Sequence, residues 1–466
     1  MVGGGIAGLA AGAAVRRTRP DVAVTVLEGS PAIGGKLALA EVAGVRVDVG
    51  AEAMLNRRPE AVRLARTVGL GDKLVHPEAT KAALWSRGRM VAMPPTVMGV
   101  PTDIRRLSES RVLSRAGLAR VALDSVLPET RIGTGDISVG HLVEERLGRE
   151  VVDRLVEPLL GGVYAGHARE ISARAAVPQL IALLDRDTSL VRAAADATAT
   201  PSDVPVFAGL VGGLGQLPAA VARHAALEVR TGVTVRDLAR GVESGWNVVV
   251  GPTASATVEH ADAVILAVPA RPAGRLLTGV APDAALELGR IEYASVAIVT
   301  MAFRAHDFPA VAGSGFLVPA VDERRIKAAT YSFAKWRWVR EAGRGSGTDR
   351  EGDLLLMRCS VGRHREEHVL QVGDDDLVRG VTEDLCDAVG LSVRPVDVHV
   401  QRWGGALPQY AVGHLDRVRH VRAAVAKLPG LAVCGAAYDG LGIPACIASA
   451  ELAATQALAG LPPLEE

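Results

Sequence analysis

A mixed α/β chain, with one doubly wound domain, one antiparallel-sheet domain and one inserted helical domain, is what this sequence predicts. Three observations predict it. The N-terminal segment joins a glycine turn, a helix and a β-branched strand; residues 102–201 switch to helical periodicity; residues 291–403 return to short strand-like runs between polar turns. The boundaries this gives are 1–75, 205–270 and 412–466 for the doubly wound domain, 76–100 and 271–411 for the sheet domain, and 101–204 for the helical domain.

The opening stretch organises the rest. Gly3, Gly5 and Gly8 carry the spacing G-x-G-x-x-G, Gly12 follows, and the chain runs straight into Ala13-Ala14-Val15. Such a turn brings backbone within contact distance of a pyrophosphate, whose charge then sits on the helix N-terminal N–H groups. Gly3, Gly4, Gly5, Ile6, Ala7 and Gly8 are therefore candidate cofactor contacts. The strand Val22-Ala23-Val24-Thr25-Val26-Leu27 ends in Glu28, at the distance beyond Gly8 where a ribose-binding carboxylate is expected, and Gly29 follows it. An adenine dinucleotide is the ligand this implies. Only Met1 and Val2 precede Gly3, although such a turn should follow a buried strand of about five or six residues. The expectation is a truncated or misassigned start.

Composition narrows the classes. Lys+Arg and Asp+Glu balance at 52 each, so no global field points to nucleic acid or an anionic membrane. Cys359, Cys386, Cys434 and Cys446 show no metal-ligand spacing and read as buried free thiols of a cytoplasmic protein. No secretory leader is evident, and the longest uncharged run, Val204 to Ala222, holds glycines and prolines that suit a turn before a helix better than a membrane span.

After Glu28, a polar turn ends in Gly34-Gly35-Lys36, and Asp48-Val49-Gly50-Ala51-Glu52-Ala53 follows a short strand. Backbone amides and the Lys36 ammonium suit a second phosphate or a ribityl chain, and the small residues at Gly50 and Ala51 let a flat ring approach. The phrase E-x-x-x-x-x-G-G-K with D-x-G-A-E resembles the two-dinucleotide-binding flavoproteins that include amine oxidases and carotenoid desaturases. That resemblance implies FAD as cofactor.

The helical region is expected to contain helices at Leu113 to Val126, Val139 to Leu147 and Glu150 to Leu160. Its phrase Glu157-Pro158 through Gly162-Val163-Tyr164-Ala165-Gly166 resembles the oxygen-dependent porphyrinogen oxidases of haem synthesis. His141 stands where that family usually has an aromatic and reads as packing. Gly162 is a candidate substrate contact, as are Met93 and Met98 in the segment before the helical region. The chain then returns to the cofactor domain through Gly209 to Pro218. In the resembled family the valine that matches Val233 holds the adenine by its backbone.

Strand-like runs at 296–303, 316–319, 328–333, 354–361 and 396–401 suit an antiparallel sheet facing the substrate. Lys335-Trp336-Arg337-Trp338 reads as a strand end, with Arg337 a candidate for an anionic aromatic substrate. Arg87 and Arg89 are further arginines available to carboxylates. His364 and His368 stand four apart without a third ligand and read as a solvated surface, so no metal is expected. Asp374-Asp375-Asp376 should cap a helix over 377–389. Finally, the phrase from Trp403 through Pro408-Gln409-Tyr410 to Gly413-His414 again resembles the porphyrinogen oxidases. Gly435, Leu441, Gly442 and Ile443 then form a strand, glycine loop and helix N-terminus suited to the pyrimidine end of a flavin.

Together these resemblances imply an oxygen-dependent porphyrinogen oxidase, using FAD and O2, that releases peroxide and hands its product to a later haem-pathway enzyme. Coproporphyrinogen III, with four propionates, suits a chain without an anchor better than protoporphyrinogen IX. No catalytic acid or base is assigned, because the chemistry belongs mostly to the cofactor. An amine oxidase or desaturase on the same fold, and a non-catalytic flavin carrier, are the other readings.

Overall fold

The structure is a computed structural model that describes residues 1–461, apart from 129, 131, 132, 134, 200–202 and 346–351. The end of the predicted helical stretch at Pro201 therefore lies outside the described residues.

A parallel sheet forms the first layer, in the order Glu228–Thr231, Thr25–Glu28, Val2, Val264–Leu266 and Leu431–Val433. Its central position is held by Val2 alone, which bridges Leu27 on one side and Leu266 on the other. Val2 donates its N–H to Ile265 (2.9 Å), Gly3 donates to Leu27 (2.8 Å), and Leu27 donates to Met1 (2.8 Å). A cleft of about 600 Å³ lined by Met1, Val24, Thr25, Ala263 and Val264 lies at the amino end of these strands. Helix Ile6–Thr18 packs under this sheet against Ile443–Leu458 and Leu217–His224. The small faces Ala7, Ala10, Ala11 and Ala14 against Ala450, Ala453, Ala454 and Ala457 allow that close contact.

The second layer is a seven-stranded sheet in the order Asp397–Pro408, Tyr293–Arg304, Leu354–Val361, Ile326–Thr330, Gly315–Leu317, Ala82–Ser86 and Arg89–Ala92. It is antiparallel as expected, except where Gly315–Leu317 runs parallel to Ala82–Ser86. Helix Asp374–Val389 covers one face through Leu377, Val381 and Leu385, and three aspartates occupy its first turn. Lys335 to Trp338 is not a strand end. Tyr331 closes its strand, and short helices Ser332–Lys335 and Arg337–Ala342 follow, because Trp336 must turn inward to lie on Gly209. A Cβ on Gly209 would come within 2.8 Å of that indole.

The insertion is helical. Arg149–Val151, Val152–Val156 and Glu157–Tyr164 run on as one helix whose middle segment is π-helical. Pro158 has no N–H to offer the carbonyl four residues back, and the bonding pattern widens there. Helix Val139–Leu147 buries Val139, Leu142, Val143 and Arg146, which leaves His141 exposed on the opposite face instead of packed. Arg146, 1% exposed, donates through Nε to Asp124 Oδ1 (2.8 Å) and through Nη1 to the Pro128 carbonyl (2.6 Å). Asp124 Oδ2 accepts from Ser189 Oγ (2.7 Å) and the Val191 N–H (3.0 Å). This buried ion pair joins three helical segments of the insertion.

Two further expectations change. Cys386 is exposed, while Cys359, Cys434 and Cys446 are buried and all four are free. His364 is buried, not solvated: Nε2 lies 3.1 Å from Glu292 and Nδ1 lies 3.6 Å from Glu170, whereas His368 is exposed. Among the described residues no helix is long and apolar enough to cross a membrane.

Candidate active site

Gly3 adopts φ +107°, where a side chain is strained, and a Cβ there would meet the Ala267 carbonyl oxygen at 2.7 Å. Gly8 sits closer still: a Cβ on it would come 1.9 Å from the Gly3 carbonyl oxygen. The turn is thus packed tightly from behind. In front the geometry reverses, because a Cβ on Gly5, the residue that caps helix Ile6–Thr18, would have nothing within 4 Å. The first turn of this helix contains no acid, and its positive end opens on the space in front of Gly5.

That space is a chamber of about 360 Å³. Gly5, Ile6 and Ala7 form its floor with Gly34, Gly35, Lys36, Gly50 and Ala51. Gly435, Leu441 and Ile443 close one end, and Trp403, with Gly162 and Val163 of the insertion, stands on the facing walls. The separated stretches predicted to converge do share one cavity. Gly34 is joined to the opening turn by its N–H to the Gly4 carbonyl (2.8 Å). Burial lowers the pKa of Lys36. Trp403 donates Nε1–H to the Val49 carbonyl (3.2 Å), and its ring lies 3.3 Å from where a Gly50 Cβ would be. Gly442 caps helix Ile443–Leu458, which also lacks acid in its first turn.

Glu28 lies outside the chamber, at the end of its strand. Oε2 accepts the Gly4 N–H (2.6 Å), and Oε1 accepts from the Ser30 N–H (2.8 Å) and Oγ (2.6 Å). These bonds fix the carboxylate beside the opening turn. Val233 is adjacent and spends its N–H on the Glu28 carbonyl (2.9 Å). Gly29 borders the same corner, with a would-be Cβ 3.7 Å from Thr234.

Glu52 and Ala53 sit behind the floor. Glu52 binds Lys335 (2.6 Å) and Arg358 (3.4 Å), while Arg358 also donates to the Gly50 carbonyl (2.6 Å). Ala53 packs against the cluster around Trp336. Burial alone would raise the Glu52 pKa, but Lys335 and then Arg358 outweigh it and hold it at about 2, against an ordinary 4.5. The carboxylate therefore contributes about 3 kcal/mol of stability that is present above pH 4.5 and lost as pH falls towards 2. Thermal denaturation should read this: Glu52→Gln is expected to be less stable at neutral pH and to lose Tm less steeply than the native chain between pH 4.5 and 3.

Several predicted substrate contacts stand elsewhere. Arg337 is exposed on its helix and paired with Glu341 at 2.7 Å, because Trp336 takes the inward position. Arg87 and Arg89 occupy an exposed hairpin tip. Met93 and Met98 pack on the core of the helical insertion and do not line the chamber; Met98 has φ +50° in a tight turn. Of that group only Gly162 reaches the cavity.

Other lining residues were not singled out from the sequence. Tyr293 accepts the Ala270 N–H at its hydroxyl (2.7 Å), and Lys327 and Ser360 face the cavity from neighbouring strands. Behind the lining, Tyr410, from the phrase that ends at His414, donates its hydroxyl to the Ala436 carbonyl (2.6 Å) and stacks on His414 at 3.9 Å. Burial takes the His414 pKa down to about 4, so this ring is neutral at pH 7. A lysine inside an apolar strand, in a chain of few lysines, was the available signal for Lys327.

A glycine-turn sheet with a wide cavity at its carboxyl edge, roofed by a second sheet, has the geometry of a dinucleotide-binding site. Residues 6–458 match the family described as flavin containing amine oxidoreductase, and the chain belongs to it. FAD is its cofactor, and the open front of Gly5 at the helix N-terminus fits the pyrophosphate. The relatives narrow the class. The chain is 37% identical over 465 residues to coproporphyrinogen III oxidase of Mycobacterium tuberculosis (strain ATCC 25618 / H37Rv), covering 99% of this chain and 97% of that one. It is 27% identical to protoporphyrinogen oxidase of Bos taurus, covering 98% of each. A crystal structure from Exiguobacterium sp. 255-15, provisionally named a protoporphyrinogen oxidase, superposes with TM-score 0.85 at 31% identity and covers 97% of both chains.

Proposed function

We propose that the protein is a cytoplasmic enzyme that oxidises coproporphyrinogen III to coproporphyrin III. Full-length similarity to coproporphyrinogen III oxidases, well above that to the bovine protoporphyrinogen enzyme, is the observation that carries this reading. When bound at this site, FAD would supply the hydride acceptor for oxidation of the macrocycle's methylene bridges and the route by which the electrons reach O2 as peroxide, in three cycles per porphyrin.

The chain's own residues bind and orient. Gly3 to Gly8 receive the pyrophosphate, with Lys36 beside it, and Glu28 accepts the ribose hydroxyls near Val233. Gly50, Ala51 and Trp403 flank the flavin, and Leu441, Gly442 and Ile443 meet its far end. Val296, Ile298 and Leu407 make the substrate side apolar and exclude water. No carboxylate or imidazole lines the chamber among the described residues.

Anaerobic flavin bleaching and aerobic product assays with each porphyrinogen test the proposal. Faster conversion of coproporphyrinogen III is expected, with peroxide formed; conversion of protoporphyrinogen IX alone would overturn it in favour of the bovine relative's activity. Glu28→Ala is expected to weaken FAD by about 1–3 kcal/mol, since it removes the ribose acceptor and the partner of the Gly4 N–H. Flavin titration of the apoprotein measures this, and unchanged affinity would remove Glu28 from the site.

A further inference from the structure

The chamber carries two charged side chains among its described lining residues. Both are lysines, and no acid balances them. Lys36 belongs to the floor, beside the opening turn. Lys327 stands on the roof, in strand Ile326–Thr330, beside Ser360 and Ile298, and is only 3% exposed.

A buried ammonium is costly unless it is paired. Yet no hydrogen bond or ion pair of the Lys327 side chain is found among the described residues. The nearest charges do not neutralise it. Arg363 adds repulsion, and Glu366, which attracts it, already lies 3.7 Å from Arg363 and 3.9 Å from His167. Burial, then Arg363, lowers the Lys327 pKa to about 7, so the amine hovers between charged and neutral. A lysine with a purely structural role would sit against a fixed acid or carbonyl. This one faces a cavity.

We propose that Lys327 anchors a carboxylate of the substrate at the roof of the chamber, with Arg363 near it. The inference rests on the reading of the substrate as a tetrapyrrole acid and adds which part of it the protein recognises. Coproporphyrinogen III bears a propionate on each of its four rings, so any edge that enters the chamber brings a carboxylate with it. Protoporphyrinogen IX has carboxylates along one edge and vinyl groups on the other, so its vinyl edge brings no carboxylate to the lysine. A cation on the roof therefore favours the tetra-acid, because a desolvated carboxylate gains most from a charge-assisted bond there. Lys327 is a specificity residue for the propionates that protoporphyrinogen lacks.

The test compares Lys327→Met and Lys327→Arg with the native holoenzyme, each first checked for FAD content and Tm. In Lys327→Met the ratio of kcat/KM for coproporphyrinogen III to that for protoporphyrinogen IX is expected to fall about ten-fold or more, chiefly through KM. Lys327→Arg should recover most of it. Reoxidation of the dithionite-reduced flavin by O2 should be unchanged. Equal losses with both substrates, no loss, or a loss confined to reoxidation would each overturn the anchor.

Binding of the redox-inert product separates this from failure of the substrate reading. Should the native enzyme oxidise neither porphyrinogen, that reading falls, and fluorescence titration with coproporphyrin III and its tetramethyl ester decides Lys327 alone. Weaker binding of the free acid only, in Lys327→Met only, supports the anchor. Equal affinity of native and variant protein for the free acid overturns it.

Discussion

Arg146→Met is expected to destabilise the protein by about 3–5 kcal/mol, enough to leave the helical insertion loosely folded. The side chain is 1% exposed and its partner Asp124 is 2% exposed, so the substitution strands a carboxylate in the core without its cation. Ser189 and the Val191 N–H still donate to Asp124 but cannot supply a charge. The carbonyls of Pro128, Thr188 and Asp124 lose their donor at the same time. Urea denaturation and limited proteolysis measure the effect. Cleavage should fall first within the insertion, while the parallel sheet stays protected. A loss under about 1 kcal/mol would show that water reaches Asp124 and that the pair is not the pin described above.

Gly8→Ala should produce a protein that cannot keep FAD. Its methyl group would stand 1.9 Å from the Gly3 carbonyl oxygen and 3.2 Å from Ala267 Cβ, both on the tightly bonded back of the turn. Neither neighbour is the free end of a flexible side chain, so the helix must move off the sheet and take its first-turn amides with it. Gly5→Ala makes the contrast. With nothing within 4 Å, that methyl group harms no contact of the fold and enters the space where the pyrophosphate approaches. Flavin content and Tm, measured on both, should separate them: Gly8→Ala loses both, whereas Gly5→Ala keeps its Tm without ligand and loses affinity. Equal behaviour of the two would contradict the division into a packed back and an open front.

The same turn shows why part of this protein was legible in its sequence. Gly3, Gly5 and Gly8 shape a turn fixed within a few residues, which spacing alone exposes, and Glu28 is read from the end of the strand that follows. Trp403 was legible only through resemblance, since nothing local ties it to a glycine turn four hundred residues earlier. Side-chain direction was the least legible. Whether Lys327 points to solvent or into the chamber depends on its pairing with the strand of Ser360, a partner the strand's own pattern does not name. Arg337 failed for the complementary reason: the run looked like a strand, but Trp336 seeks the flat surface over Gly209, and the chain coils to reach it. His364 looked solvated because its sequence neighbours are charged, whereas in space those charges are ones that Glu170 and Glu292 come from elsewhere to meet.

The chamber's floor begins at Gly5, and its end wall is not finished until Cys446. A ribosome releases these two residues at opposite ends of the synthesis of this polypeptide, and chains fold as they emerge. The nascent glycine turn must therefore wait, with its partners unmade, through nearly the whole of translation. Cofactor capture becomes a late event by construction, and it reports that the last helix has docked: a polypeptide released early has the signature sequence but no place to hold the flavin.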